Sequence, residues 1–186
     1  MKKFQHSDYL KAGFSSRQAQ IIIEQLTIIL SDESTHTSTL AGVITSLGSK
    51  PISTCEFNFD SVLQDVSPFP SSLTRTSTDL ALQPLTFISV ARSLESVGVS
   101  AYLGAAHLIS DSALLTAAGS ILTLESRHQS LLNIFNGGSF AGQAFDIALT
   151  PQQVLALAGG FLKGCSAADL GLTCTLSLPV VEIFAD

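Results

Sequence analysis

Residues 112–135 read SALLTAAGSILTLESRHQSLLNIF. Within them Leu114, Ala118, Ile121, Leu132 and Phe135 recur in alternating steps of three and four, the spacing of one buried helical stripe. The stripe breaks once. Glu125 and His128 fill the gap at the same steps, so two ionisable side chains stand in core register on one helix face. Asp111 and Ser110 are cap residues before this helix, and Gly137 with Gly138 ends it.

The same pattern occurs once more upstream. Between Ser15 and Leu47 the residues Ile22, Leu26, Ile29, Leu40, Val43 and Leu47 keep the three-and-four rhythm, and Glu33 and His36 occupy its gap. Ser15 is the expected N-cap, and Gly48 followed by Pro51 the terminator. A further helix is predicted from Pro84 to about Ile109, where Ile88, Ala91, Glu95, Gly98 and Tyr102 put one carboxylate on the inner face. Three helices thus aim Glu33, His36, Glu95, Glu125 and His128 inward.

Their heights agree. Glu95 precedes Ile109, and Glu125 follows Ser112, by nearly the same number of residues, each about 20 Å of helix. The connection between these helices is short, which makes them an antiparallel pair and brings Glu95 level with Glu125. Unpaired buried carboxylates cost several kcal/mol each, so the cluster needs protons or cations. A divalent metal pair is the natural compensator. One Glu-x-x-His is usually a solvated surface pair, but six glutamates and four histidines give on the order of 0.1 such motifs by chance. Two on apolar seams are a different matter. His6 and His107 fit no seam and read as surface or packing residues, and the strip Gly98, Ala101, Gly104, Ala105 and Ala106 reads as a means of close helix approach.

The remaining chain frames these helices. Ser49 to Asp79, rich in Ser and Thr and holding Pro51, Pro68 and Pro70, reads as a long crossover loop. A last helix is expected from Thr150, with Pro151 in its first turn, to about Lys163, leaving 166–186 as an irregular tail. With 46% hydrophobic and 13% charged residues the chain builds an extensive core. A net charge of -6 without any Lys/Arg cluster argues against nucleic acid and anionic membranes as partners. The run Ile21 to Leu30, broken by Glu24 and Gln25, is too short to span a bilayer. Lys2 and Lys3 are not followed by an apolar segment, so no signal peptide is expected. Cys55, Cys165 and Cys174 allow one internal disulfide and form no Cys-x-x-Cys pair.

The segments LSDESTHTSTLAGVITSLG (30–48), SLESVGVSAYLGAAHLI (93–109) and LTAAGSILTLESRHQSLLN (115–133) closely resemble the ferritin-like domain of fungal stress-response and plant desiccation-related proteins. The likeness covers about residues 4 to 165. It implies an all-α, ferritin-like antiparallel bundle over residues 1–165, with three long helices, a C-terminal helix and the crossover 49–79. It also implies that Glu33, His36, Glu95, Glu125 and His128 are metal ligands, with iron or manganese the expected metals. Cys55 and Cys165 match family cysteines, which implies a bridge between them. Members are commonly secreted, so the resemblance implies an extracellular protein, although the expected lack of a signal peptide also allows an intracellular one.

Relatives carry another helix ahead of KKFQHSDYLKAGF, and that helix supplies a lone glutamate. Its absence is expected to leave the metal set one carboxylate short and one bundle face open. Apolar residues outside the ligand seams, such as Ile23, Ile28, Val97, Leu103 and Leu115, then need cover, from the C-terminal helix with Val154, Leu155, Leu157, Ala158 and Phe161 folding back or, the favoured expectation, from a homo-dimer or other self-association. Two functions fit the resemblance. One is a di-metal carboxylate protein acting on oxygen or peroxide in a stress response. The other is a non-enzymatic stress or interaction protein with a vestigial, metal-free site. An iron-storage subunit fits less well, because nothing suggests the channel surfaces of a cage.

Overall fold

The computed structural model describes residues 4–52, 55–58 and 83–164. Their helices are α1 (His6–Lys11), α2 (Ser16–Ser46), α3 (Gln83–Ala105), α4 (Ser112–Phe135) and α5 (Pro151–Ala158). The three long helices fall where the apolar stripes put them.

Their ends are set by local chemistry. Ser15 caps α2 with a reciprocal box, its hydroxyl accepting from the Gln18 amide while the Gln18 side chain accepts from the Ser15 amide. Asp111 caps α4 by accepting from the Leu114 amide at 2.8 Å. At the other ends Gly48 and Gly137 adopt φ of 79° and 80°. Those left-handed turns let Ser49 and Gly138 donate back to Ile44 and Asn133, satisfying carbonyls the helices leave open.

Two predicted boundaries shift. The last helix stops at Ala158, not Lys163, because Gly159 and Gly160 tighten it into a 3-10 turn. Beyond that turn, Leu162–Lys163 (β2) pairs antiparallel with Glu56–Phe57 (β1), joining part of the expected crossover to the C-terminal segment. The second long helix likewise ends at Ala105 and continues as the 3-10 turn Ala106–Leu108. The helix α1 was not anticipated. It brings Tyr9, 2% exposed, under the bundle, where its ring meets Phe4 and Phe14, and Phe4 meets Phe87.

Tyr9, Ala19, Ile22, Leu26, Ile29, Ile88 and Leu132 form the buried core. It occupies one end of the bundle. Past the ionisable gap the stripe of α2 is not covered, since Leu40 is 40% and Leu47 68% exposed. The expectation that it stays buried to Leu47 therefore fails within the described residues. Of the apolar residues outside the seams, Val97 is buried and Ile23 packs on the core, while Ile28 and Leu115 are exposed.

Side-chain pairing gives the directions. Glu33 meets His128 and His36 meets Glu125, so advance along α2 is retreat along α4, and the two run antiparallel. Because the short turn after α3 also makes it antiparallel to α4, α2 and α3 run parallel. Parallel neighbours of this kind are joined by a crossover rather than a short turn. Most of the crossover 49–79, and the tail 166–186, lie outside the described residues.

Candidate metal centre

Each ionisable group owes its place to a helix register. Glu33 and His36 project from the middle of α2, one and two turns past Ile29. Glu95 lies one turn past Ala91 on α3, and His128 and Glu125 lie one and two turns before Leu132 on α4. Glu95, Glu125 and His128 are buried, with 8%, 5% and 5% exposure. All five predicted residues meet in one cluster, with Glu33, its side chain 37% exposed, at the rim. Ligand atoms of Glu33, Glu95, Glu125 and His128 lie within 4.8 Å of one another. His36 joins from the side, its Nδ1 at 3.1 Å from Glu125 Oε1 and 3.3 Å from Glu33 Oε1.

Three of its atoms lie close to their neighbours without being hydrogen-bonded. His128 Nδ1 stands 3.4 Å from Glu33 Oε1 and 3.5 Å from Glu95 Oε2, yet His128 Nδ1, His36 Nδ1 and Glu33 Oε1 are buried atoms with no hydrogen-bond partner. Buried polar atoms are ordinarily paired, because an orphan costs about 1–3 kcal/mol. Both orphaned nitrogens lie within 3.4 Å of the orphaned Glu33 Oε1, as ligands gathered for a cation do. Metal–ligand bonds of about 2.1 Å need donors no more than about 4.2 Å apart, so these side chains fit an ion after closing by a few tenths of an ångström.

Electrostatics reflect the crowding. Burial raises the Glu125 carboxyl to about 9, aided by a hydrogen bond with Glu95 and by the charges of Glu33 and Glu95, against the lowering effect of His128. Burial alone would lower His128, but Glu33, Glu95 and Asp32 outweigh it and hold the imidazole up at about 10. The Tyr102 phenol also rises to about 12, through burial and the nearby charges of Glu125 and Glu33.

Two features escaped the stripe arithmetic. Asp32 accepts from His128 Nε2 at 3.2 Å. It sits one residue before Glu33, a third of a turn off the seam, so apolar periodicity gives it no signal. Gly98 serves the site as well as close helix approach. A Cβ there would lie 2.8 Å from Glu125 Oε2, so the missing side chain is the space the carboxylate occupies. Gly104 makes room for the backbone of Leu149, whose amide donates to Ser100 at 3.0 Å.

His6 lies outside the cluster and its Nε2 contacts the Ser16 carbonyl at 3.1 Å, while His107 is exposed, as expected. Cys55 is disulfide-bonded. Its expected partner Cys165 lies outside the described residues, but the pairing of Glu56 with Lys163 sets Cys55 opposite Gly164, the residue just before Cys165.

Residues 1–137 match the ferritin-like domain family, and the chain belongs to that family. No curated protein matches it. Two Glu-x-x-His helices and a helix bearing one inward glutamate are three of the four helices from which such bundles build carboxylate metal sites.

Proposed function

We propose that this protein is a ferritin-like di-metal carboxylate protein that binds iron or manganese between α2, α3 and α4 and serves in a stress response. The observation that carries the reading is the convergence of three buried, unpartnered ligand atoms, Glu33 Oε1, His36 Nδ1 and His128 Nδ1, beside Glu95 and Glu125. Carboxylate and imidazole donors without thiolate suit these metals. Glu33, Glu95, Glu125 and His128 would hold the ion, with His36 at its side. Bound there, iron or manganese supplies redox chemistry toward oxygen or peroxide. The chain's own contribution is orientation and exclusion of water, with the apolar layer of Ile29, Ile88 and Leu132 toward one end of the site.

A metal-free reading has its own support. With Glu125 raised to about 9 and His128 to about 10, protons compensate the buried acids without any ion, as a non-enzymatic protein with a vestigial site would need. Elemental analysis of the purified chain after incubation with Mn2+ or, anaerobically, Fe2+ separates the two. The metal reading expects retained ion and loss of retention in Glu95→Ala. Absence of bound metal refutes it. Metal retained without oxidation of Fe2+ by oxygen or peroxide leaves binding and removes the redox role.

The exposed apolar residues Ile21, Ile28, Leu40 and Leu47 on α2 support self-association as a homo-dimer. A single monomeric mass by light scattering at high protein concentration refutes that. Among the described residues no helix is long and apolar enough to cross a membrane.

A further inference from the structure

Glu33 and His36 on α2 are related to Glu125 and His128 on α4 by one common offset along the chain, and the contacts obey the same relation. Glu33 Oε1 to His128 Nδ1, 3.4 Å, has its image in Glu125 Oε1 to His36 Nδ1, 3.1 Å. The centre is thus a local two-fold built by two antiparallel helices. The third contact breaks it. Asp32 Oδ2 lies 3.2 Å from His128 Nε2, and the residue in the corresponding position on α4 is Leu124, which has no hydrogen-bonding group. Glu95 breaks the symmetry in the same sense, since its Oε2 stands 3.5 Å from His128 Nδ1.

We infer that the two halves of the centre are inequivalent, the His128 half being the tight metal position and the His36 half the weak one, with Asp32 as the positioning residue that sets the difference. An imidazole binds metal through one nitrogen, and a carboxylate on the other fixes the ring and its tautomer. With Nε2–H donating to Asp32, the Nδ1 lone pair of His128 points to Glu33 and Glu95. That side chain is 6% exposed, its Nδ1 has no hydrogen-bond partner, and the ligand atoms that gather tightly include His128 but not His36. His36 has no such anchor from α4 and must be oriented by the ion it binds. The inference rests on the metal-binding reading proposed above and deepens it to an order of filling: one ion first, at Glu33, Glu95, Glu125 and His128.

Calorimetric titration of the full chain with Mn2+ tests this. The expected result is one tight event and a second at least about 10-fold weaker. Asp32→Ala should weaken the tight event by about 10- to 100-fold, and Asp32→Asn, whose amide oxygen can still accept from Nε2–H, should recover most of the loss. Asp32 is 31% exposed, so neither variant disturbs the core, and a thermal melt checks that both fold. A purely structural role would not move the second readout, 15N spectra of the Zn2+-loaded chain. These should show His128 with metal on Nδ1 and a slowly exchanging proton on Nε2, that proton becoming fast-exchanging in Asp32→Ala. Two Mn2+ events of equal affinity, or an Asp32→Ala titration like that of the parent, overturn the inference while leaving metal binding intact. No Mn2+ uptake by the parent chain overturns both.

Discussion

Replacing Gly98 by alanine should separate stability from metal binding. Gly98 lies within α3, where glycine is less favourable than alanine by about 1 kcal/mol, so the substitution carries a helix-forming gain. The added Cβ would stand 2.8 Å from Glu125 Oε2 and 3.4 Å from its Cδ. Its three nearest neighbours all belong to the Glu125 side chain, whose far end can retreat. Restoring an ordinary contact moves the carboxylate by about half an ångström, whereas metal sites tolerate departures of about 0.2 Å. The metal-free chain should therefore melt between its original temperature and about 4 °C higher, because up to about 1 kcal/mol shifts a domain of this size by about 2–4 °C. Mn2+ affinity should fall at least about 10-fold, or about 1.4 kcal/mol. Circular dichroism melts in chelator and calorimetric titration read the two quantities. Unchanged affinity would refute the reasoning, since Glu125 would then not bind metal from the position seen here.

Gly104→Ala should behave oppositely, because its Cβ meets backbone atoms of Leu149 that cannot retreat; a loss of about 1–3 kcal/mol is expected in denaturant melts. Gly119→Ala on α4, with open space around its Cβ, should instead gain up to about 1 kcal/mol in the same assay. In the metal-free chain Glu125 and His128 hold protons that the unfolded chain releases near the ordinary values of 4.5 and 6.5. Stability from these protons is complete below those values and is lost as pH rises toward about 9 and 10, so melts in chelator should fall from pH 6 to pH 10. A rising or flat profile contradicts the assignment. Mn2+ must displace the same protons, so its affinity should increase across that window. Cys55→Ser should cost about 2–4 kcal/mol by releasing the cross-link on the denatured chain, measured against the parent in denaturant, with no further loss on adding reductant.

What the sequence by itself determined was every feature that repeats along a single helix. The steps from Leu114 to Phe135 and from Ile22 to Leu47 placed α4 and α2, and the two gaps in them delivered Glu33, His36, Glu125 and His128. Helical periodicity is a property of one segment, so one segment suffices to read it. Counting residues from a shared turn even put Glu95 level with Glu125, because rise per residue is constant. The tertiary structure decided what depends on a neighbour. Leu40 and Leu47 carry the same periodic signal as Ile22 and Ile29, yet they are exposed, since periodicity names a face and not what covers it. Gly98 looks like any small residue until Glu125 from another helix fills its space. The strands β1 and β2 are two residues each, too short for any alternation, and exist because distant segments meet. Asp32 is the clearest case. Off the seam in its own helix, it gains a role from His128, far along the chain on α4, and a contact of that kind is written in no single stretch of sequence.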